Sequence, residues 1–369
     1  MKPELRVALL GQGFMGRAHS NAWLQVGRFF DVPYSIRRKV ICGRDPAALE
    51  RMASTWEWEE AATDWRAVVE RADIDLIDIA LPNHLHAPVA MAAGAAGKMV
   101  LCEKPLANTV QDALRMADAC RARPNGVWFN YRRVPAIAYA QQLISQGRLG
   151  AIYHYRATYL QKWPADTSRT APWKLDPEQA GSGVIGDLMS HLVDTALFLN
   201  GAIGEVNAMV RTFAENRRVP DAVWALAHFD NGSEGSFEAS RFATGCRNRN
   251  MFEIHGEGGM LRFNLEDMNR LEFLDARDPL PEQGPRNLLV TDPAHPYSGS
   301  YWKPGHITGY EHTFISALAD FLSAIASGQP FRPGFDDALN VQKVLAAVEA
   351  SARSWLWQPV PAANSGMPR

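Results

Sequence analysis

The sequence contains few cysteines and no long hydrophobic run. Its 369 residues include four cysteines, at positions 42, 102, 120 and 246, and none of them forms a C-x-x-C pair. Isolated thiols of this kind argue against a disulfide framework and a zinc knuckle, and they predict small buried hydrophobic side chains. No segment approaches the roughly 18 apolar residues of a membrane span, and glycines interrupt the apolar run near the start. We therefore expect a cytoplasmic protein.

The sequence also lacks an excess of charge of either sign. The 38 lysines and arginines nearly balance the 40 aspartates and glutamates, giving a net charge of −2, and the basic residues form no long run. Without a run of positive charge, the sequence does not predict binding to nucleic acid or to an anionic membrane, so the expected partner is a small molecule. A hydrophobic content of 47% with 21% charged residues is typical of a soluble globular enzyme. The length exceeds the roughly 250 to 300 residues at which a single core stops growing, which favours two domains.

The hydrophobic pattern changes character about a third of the way along the chain. Up to about residue 125, short apolar runs alternate with helix-like segments, which predicts an α/β domain with a doubly wound parallel sheet of the Rossmann type. From about 126 to 369, apolar and polar residues mostly alternate with period two, which predicts an α+β domain with a large, mostly antiparallel, open-faced sheet. The last predicted helix, about 335–356, is the element that could pack back on the Rossmann domain.

A glycine turn follows the first predicted strand and precedes the first predicted helix. The motif GQGFMG fits the pattern G-x-G-x-x-G: Gly11 allows a tight turn, Gly13 lets a diphosphate approach the backbone, and Gly16 lets the helix pack close to the sheet. A diphosphate would then meet the amides at the helix N-terminus. In this context, the motif predicts dinucleotide binding rather than a plain structural turn.

The residues after the second strand leave the choice of coenzyme open. An acidic residue that could hold the ribose 2′-hydroxyl is not evident. Gly43 and Arg44 occupy the turn directly after the second strand, and Asp45 is better placed to cap the next helix. Because an arginine there can receive a 2′-phosphate, NADP is allowed and NAD is not excluded.

Two groups of charged residues are candidates for catalysis. Lys104 follows a short apolar strand, and in an open parallel sheet ligands collect beyond the carboxyl ends of strands. Asp187 and His191 lie four residues apart on a predicted helix, so both project from one face, with Asp194 one turn further. The alternative interpretations are a surface lysine, a capping aspartate with a core histidine, and a metal site shared with Asp194. A single histidine without an H-x-x-x-H pair is weak support for the metal, so no metal is expected.

Several motifs together resemble the Gfo/Idh/MocA family (glucose-fructose oxidoreductase / inositol dehydrogenase). They are GQGFMG, PNHLHA (82–87), CEKP (102–105) and GSGVIGDLMSHLVD (181–194), and they occur in order along nearly the whole chain. Within the family, FNYRR (129–133), YLQKW (159–163) and AGSGVIGD (180–187) are most similar to a branch of the levoglucosan dehydrogenase type, which acts on cyclic sugars and anhydrosugars.

The resemblance implies an NAD(P)-dependent oxidoreductase that oxidises a ring hydroxyl of a sugar, anhydrosugar, glycoside or cyclitol to a ketone. Lys104, His191 and Asp187 are the implied catalytic residues, and the near-neutral pKa of a histidine suits removal of a hydroxyl proton. The expected coenzyme-binding residues are Gly11, Gly13, Phe14, Met15, Gly43, Arg44, Pro82, Asn83, His86, Glu103, Lys104 and Asn130. The expected substrate-binding residues are Tyr131, Arg132, Gln161, Trp163, Trp173, Asp187 and His191. The family also implies a homodimer or homotetramer formed through the C-terminal sheet.

Two other functions remain open at this stage. One is an NAD-dependent glycoside hydrolase or lyase that oxidises C3 transiently and then eliminates the glycosidic substituent. The other is a catalytically silent NAD(P)-binding sensor, which the joint presence of Lys104, Asp187 and His191 argues against.

Overall fold

A computed structural model describes residues 2–163, 172–215 and 217–362 of the chain. The chain divides into two compact units, which are described separately. The first unit comprises Met1–Arg133 and Gly309–Leu339, and the second comprises Val134–Thr308 and Asn340–Arg369. The boundary expected at 125/126 therefore lies inside the first unit, which also takes in a segment from late in the sequence.

The first unit is built on a six-stranded parallel sheet in its described residues. The strand order is β3-β2-β1-β4-β5-β6, with the order reversing at β1, which is the arrangement of a dinucleotide-binding fold. Its strands are β1 (Glu4–Leu10), β2 (Ser35–Cys42), β3 (Glu60–Ala62), β4 (Leu76–Ile79), β5 (Met99–Cys102) and β6 (Asn125–Val127). The central strands β1, β4 and β5 are almost wholly buried, because helices cover both faces of such a sheet. The predicted doubly wound parallel sheet is confirmed.

Helices connect these strands. They are α1 (Phe14–Phe29), α2 (Pro46–Trp56), α3 (Trp65–Glu70), α4 (His86–Ala95) and α5 (Val110–Cys120), and the late helix α9 (Tyr310–Ser327) packs against α1. The strand β3 and the helix α3 were not predicted, since a three-residue strand and a six-residue helix are too short to carry a hydrophobic period. The expected packing of the helix at about 335–356 on this unit stays a prediction, and its first residues, up to Leu339, belong to the first unit.

The second unit contains a nine-stranded sheet in its described residues. The strand order is β14-β13-β12-β11-β7-β10-β9-β8-β15. The strands are β7 (Ile152–Leu160), β8 (Ile203–Arg211), β9 (Ala222–Phe229), β10 (Glu234–Ser240), β11 (Arg249–Gly256), β12 (Gly259–Asn264), β13 (Arg270–Asp275), β14 (Arg286–Leu289) and β15 (Gln358–Pro359). All pairings are antiparallel except that of β7 with β10, which is parallel, so the sheet is mixed and mostly antiparallel as expected.

The second unit contains α6 (Pro135–Ser145), α7 (Pro177–Ala180) and α8 (Ser190–Asn200), and α10 (Phe335–Ser354) begins in the first unit and continues into the second. α6 packs against β12 and β13, and α8 packs against β7. A π-helical turn, Ile185–Met189, leads directly into α8. The predicted end of that helix at Asn200 is confirmed, because Gly201 follows with a left-handed φ of 92°.

The helices of the described residues include none long and apolar enough to span a bilayer.

Candidate active site

The glycine turn between β1 and α1 has the space that a diphosphate needs. Gly11 has a φ of +136°, and a Cβ there would lie 2.2 Å from the Ala80 carbonyl oxygen; a Cβ on Gly16 would lie 2.1 Å from the Gly11 carbonyl oxygen. A Cβ on Gly13, in contrast, would meet no atom within 4 Å. Gly13 is also the N-cap of α1 and supplies no capping side chain, so the first amides of the helix are left for an anion. Two of the glycines are therefore required by the fold, while the third leaves an open approach that fits a dinucleotide.

The tip after β2 is arranged as the sequence predicts. Asp45 is the N-cap of α2, and its Oδ1 accepts a hydrogen bond from the Ala48 amide at 3.2 Å. The Asp45 amide in turn donates to Gln12 Oε1 at 3.0 Å, so the Gln12 side chain lies over Gly43. Arg44 is exposed at this tip. The capping role of Asp45 is confirmed, and that carboxylate is committed to the helix.

The glutamate after β5 holds the backbone of the lysine that follows it. The Glu103 amide donates to the Ile79 carbonyl at 2.8 Å, which extends the pairing of β5 with β4 by one residue. Glu103 Oε2 accepts a hydrogen bond from the Lys104 amide at 3.0 Å, and Oε1 lies 3.0 Å from His19 Nε2. Both carboxylate oxygens of Glu103 therefore have partners inside the protein. The expected contact of Glu103 with a coenzyme stays a prediction.

His86 joins the chain ends that follow β4 and β5. Its ring is buried, with Nδ1 2.9 Å from the Pro105 carbonyl oxygen and Nε2 2.9 Å from the Leu81 carbonyl oxygen. Burial lowers the pKa of His86 although both carbonyls act in the opposite direction. A neutral ring donates a hydrogen bond to one of these carbonyls. Through these contacts His86 links the loop after β5 to the loop after β4, where Pro82 precedes a short 3₁₀ turn that begins at Asn83.

The turn after β6 places three further predicted residues in the first unit. Asn130 and Tyr131 are both buried in a 3₁₀ turn, as is Arg132. The side-chain Nδ2 of Asn130 donates a hydrogen bond to Thr313 Oγ1 at 2.8 Å, which fixes this turn to α9. Burial, reinforced by Tyr131 and Glu103, raises the pKa of the Tyr310 phenol well above its ordinary value. Tyr310 begins α9, so the start of this helix lies beside the Asn130 turn and the Glu103 carboxylate.

In the second unit, Asp187 and His191 lie on the π-helical turn and on α8. Asp187 falls within the wider turn, and His191 is the second residue of the α-helix that follows. π-Turns inside helices occur frequently at functional sites. The predicted continuous α-helix is thus corrected in its first turn. The imidazole of His191 is largely buried, and its ring centre lies 5.9 Å from that of Tyr159.

An arginine that the sequence analysis missed holds the Asp187 carboxylate. Arg241 Nη2 donates to Asp187 Oδ2 at 2.9 Å, and the Arg241 side chain is only 2% exposed. Its guanidinium carbon lies 4.1 Å from the centre of the Trp163 ring. A signal was present, because Arg241 directly follows β10 and continues its period-two alternation, in which Phe237 and Ala239 are buried. An arginine at a buried position needs a partner.

A hydrogen-bonded chain connects other predicted substrate residues of the second unit. Trp163 Nε1 donates to Gln161 Oε1 at 2.7 Å, and Gln161 Nε2 donates to Asn248 Oδ1 at 2.7 Å. The Lys174 ammonium lies 5.1 Å from the Trp163 ring centre and 5.6 Å from that of Trp173. Gln161, Trp163 and Trp173 are therefore gathered around one aromatic and cationic cluster, within which the Arg241 guanidinium also stacks.

Within the described ranges, no three His, Cys, Asp or Glu side chains are grouped so that they could hold a metal ion. Asp187, which the metal alternative requires, is instead engaged by a guanidinium.

The fold and these residues define a class of protein, a pyridine-nucleotide-dependent oxidoreductase with a Rossmann unit and a separate α+β unit. Two family models match the chain: "Oxidoreductase family, NAD-binding Rossmann fold" over residues 5–131 and "GFO/IDH/MocA C-terminal domain" over residues 137–262. The chain belongs to the Gfo/Idh/MocA family of oxidoreductases, and its first unit is an NAD-binding Rossmann domain. The resemblance inferred from the sequence motifs is confirmed.

Similar proteins cover nearly the full length. Levoglucosan dehydrogenase of Pseudarthrobacter phenanthrenivorans is 38% identical, with 97% of this chain and 98% of the relative aligned. A solved levoglucosan dehydrogenase in complex with NADH and levoglucosan superposes with a TM-score of 0.94 at 39% identity, covering 97% of this chain and 99% of that one. An oxidoreductase domain protein from Kribbella flavida gives a TM-score of 0.95 at 45% identity, covering 98% and 100%.

Proposed function

We propose that this protein oxidises a ring hydroxyl of an anhydrosugar or a related cyclic sugar to a ketone, reversibly, with NAD as hydride acceptor. The observation that carries the proposal is the full-length likeness to levoglucosan dehydrogenase, combined with the presence of Lys104, Asp187 and His191 in this chain. A binding protein without catalysis would have no need of this combination of lysine, carboxylate and imidazole.

The residues of this chain divide the work of the proposed reaction. When bound, the nicotinamide ring accepts a hydride from the alcohol carbon. The His191 imidazole removes the hydroxyl proton, and the Lys104 ammonium lowers the pKa of that hydroxyl and stabilises the developing alkoxide. Asp187, held by Arg241, orients the imidazole and accepts hydrogen bonds from substrate hydroxyls. The Gly11–Gly16 turn and the N-terminus of α1 receive the coenzyme diphosphate.

The aromatic and polar cluster of the second unit supports the proposed substrate class. The Arg241 guanidinium covers the Trp163 ring, and Trp173 and Gln161 add a second aromatic ring and an amide to the same cluster. A rigid bicyclic sugar presents an apolar C–H face and a set of ring hydroxyls, so it complements this combination. Levoglucosan is the first compound to test, because solved relatives bind it or act on it by name.

A panel of anhydrosugars, free sugars, glycosides and cyclitols, each assayed with NAD and with NADP, tests the proposal. Absorbance of the reduced coenzyme together with chromatography of the product gives a ketone and reduced coenzyme in equal amounts if the protein is a dehydrogenase. Release of a free sugar without net coenzyme reduction would instead establish the hydrolase or lyase, and coenzyme binding without any turnover would establish the sensor.

Lys104→Ala separates the proposed catalysis from coenzyme binding. We expect turnover to fall by a factor of about 10³ or more, since a preorganised charge at the developing alkoxide is lost. Lys303→Ala removes an exposed lysine of the second unit and is the matched control. Full turnover in the Lys104 variant would contradict the assignment.

We also propose that the protein is a homodimer or homotetramer that pairs through the open face of the nine-stranded sheet. Two large apolar side chains of this unit, Leu226 and Trp355, are 53% and 67% exposed and line the same surface. Leu226 points outward from β9, a strand whose alternate residues are buried. Light scattering after gel filtration should give a multiple of the chain mass, and Leu226→Arg should reduce it. A monomeric wild-type protein would contradict the proposal.

The proposed compartment is the cytoplasm, supported by the four unpaired cysteines. Fractionation of producing cells tests it.

A further inference from the structure

A buried cluster of one histidine and two carboxylates lies in the first unit, and no step of the proposed reaction uses it. His19 on α1 places Nδ1 3.1 Å from Asp78 Oδ1 and Nε2 3.0 Å from Glu103 Oε1. The side chains of His19 and Asp78 have no solvent exposure, and that of Glu103 is 6% exposed. Three charged or chargeable groups thus meet in the interior of the Rossmann unit, which is unusual enough to require a reason.

The geometry favours one protonation state of the imidazole. A neutral imidazole has only one N–H, whereas here both ring nitrogens face a carboxylate oxygen. The imidazolium donates from each nitrogen to an ionised carboxylate, so both contacts are then charge-assisted hydrogen bonds. Asp78 is further saturated by the Trp23 and Trp128 indoles, whose Nε1 atoms donate at 2.7 and 2.8 Å.

Among the residues that the structure describes, the charged groups that act on His19 are Asp78 and Glu103. Asp78 faces it from β4, Glu103 from the end of β5, and the aromatic rings of Trp128 and Phe314 lie 4.4 and 5.7 Å away between ring centres. Burial by itself lowers the pKa of His19, but the two carboxylates outweigh burial and raise the pKa to about 9. The imidazolium therefore persists across the neutral range.

The cluster joins the glycine turn to the lysine of the proposed reaction. His19 lies on the helix that begins directly after Gly13, and Glu103 uses its second oxygen to accept the Lys104 amide at 3.0 Å. The imidazolium fixes one oxygen of Glu103, and that carboxylate then fixes the backbone from which the lysine side chain departs. If the imidazolium is lost, two buried carboxylates remain without the positive charge between them, and Glu103 loses one of its two partners.

We propose that His19 is a positioning residue for Lys104: its imidazolium anchors Glu103, and Glu103 holds the Lys104 backbone at the carboxyl end of β5. The inference rests on the proposed function insofar as Lys104 takes part in catalysis. The hydrogen-bond relay itself is independent of the substrate.

The direct test is hydrogen exchange at the Lys104 amide in His19→Gln. Ser20→Ala is the matched control, because Ser20 is the next residue on α1, equally buried, and its Oγ accepts a hydrogen bond from Trp58 Nε1 at 3.0 Å away from Glu103. We expect the Lys104 amide to exchange at least about tenfold faster in His19→Gln and to keep its wild-type rate in Ser20→Ala. Unchanged protection in His19→Gln overturns the proposal.

The kinetic test uses the same two variants. His19→Gln should lower kcat about tenfold or more, while the KM for the sugar and the Kd for NADH change less than about threefold, since only the placement of the lysine is disturbed. An equal loss in kcat for Ser20→Ala would show a general effect of core damage and would overturn the proposal. If the wild-type protein oxidises no sugar, the proposed function fails, and the exchange measurement still decides on the relay.

The wild-type protein supplies a test that needs no variant. Nitrogen-15 spectra at pH 8 should show His19 with protons on both ring nitrogens. If His19→Gln does not fold, this spectrum together with the measured protection of the Lys104 amide supports the proposal, and a neutral His19 ring overturns it.

Discussion

The stability of the protein should fall as the pH rises from about 6.5 to 9, because His19 loses its proton over this range. In the unfolded chain a histidine titrates near 6.5, whereas in the folded protein the pKa of His19 is about 9. Between these values the folded state binds one more proton than the unfolded state, so the free energy of unfolding decreases with pH. The contribution is complete below pH 6.5 and is lost as the pH passes 9.

The magnitude follows from the difference between the two pKa values. A difference from 6.5 to about 9, at about 1.4 kcal/mol per pH unit, corresponds to about 3 kcal/mol. The other buried histidines and two of the buried cysteines act mainly outside this range. The lowered pKa values of His86 and His312 give a stability that increases with pH below 6.5, and the raised pKa values of Cys42 and Cys120, about 11 and 12, act above pH 9.

Counting protons at pH 8 measures this effect directly. Unfolding of the wild-type protein in guanidinium should release about one proton more than unfolding of His19→Gln, as read by an indicator dye in weak buffer. Urea titrations from pH 6.5 to 8.5 should show a steeper loss of stability for the wild-type protein than for the variant. Equal proton release by the two proteins would refute the assignment of a buried imidazolium.

Three further predictions concern single residues. Gly13→Ala should leave thermal stability nearly unchanged and weaken NADH binding about tenfold or more, because the added Cβ meets only the space left for the diphosphate. In Gly16→Ala the Cβ would lie 2.1 Å from a carbonyl oxygen, so this variant should destabilise the fold by about 3 kcal/mol in a thermal or urea titration. Arg241→Ala should cost about 2 kcal/mol in kcat/KM for the sugar because the Asp187 carboxylate loses its charged partner, while NADH affinity measured by fluorescence stays the same; unaltered kcat/KM would remove Arg241 from the site. Arg44→Ala should lower kcat/KM with NADP about tenfold relative to NAD if the arginine receives a 2′-phosphate, and an unchanged ratio would exclude that role.

Local patterns in the sequence predicted the elements that are long or conformationally special. The apolar runs that form β1, β4 and β5 are almost wholly buried, and a buried strand of a parallel sheet is mostly apolar on both faces. The glycine turn could be interpreted because Gly11 adopts a backbone conformation that side chains disfavour. The strand β3 could not, since three residues at a sheet edge take their structure from the neighbour with which they pair.

The sequence by itself therefore determined the Rossmann architecture, the family and the candidate residues Lys104, Asp187 and His191. Only the tertiary structure decided which side chains support them. His19 meets Asp78 across 59 residues and Glu103 across 84, and Arg241 meets Asp187 across 54. The physical reason is that hydrophobic periodicity and turn preferences act over a few neighbouring residues, whereas ion pairs in the interior form only after distant strands and helices have packed together.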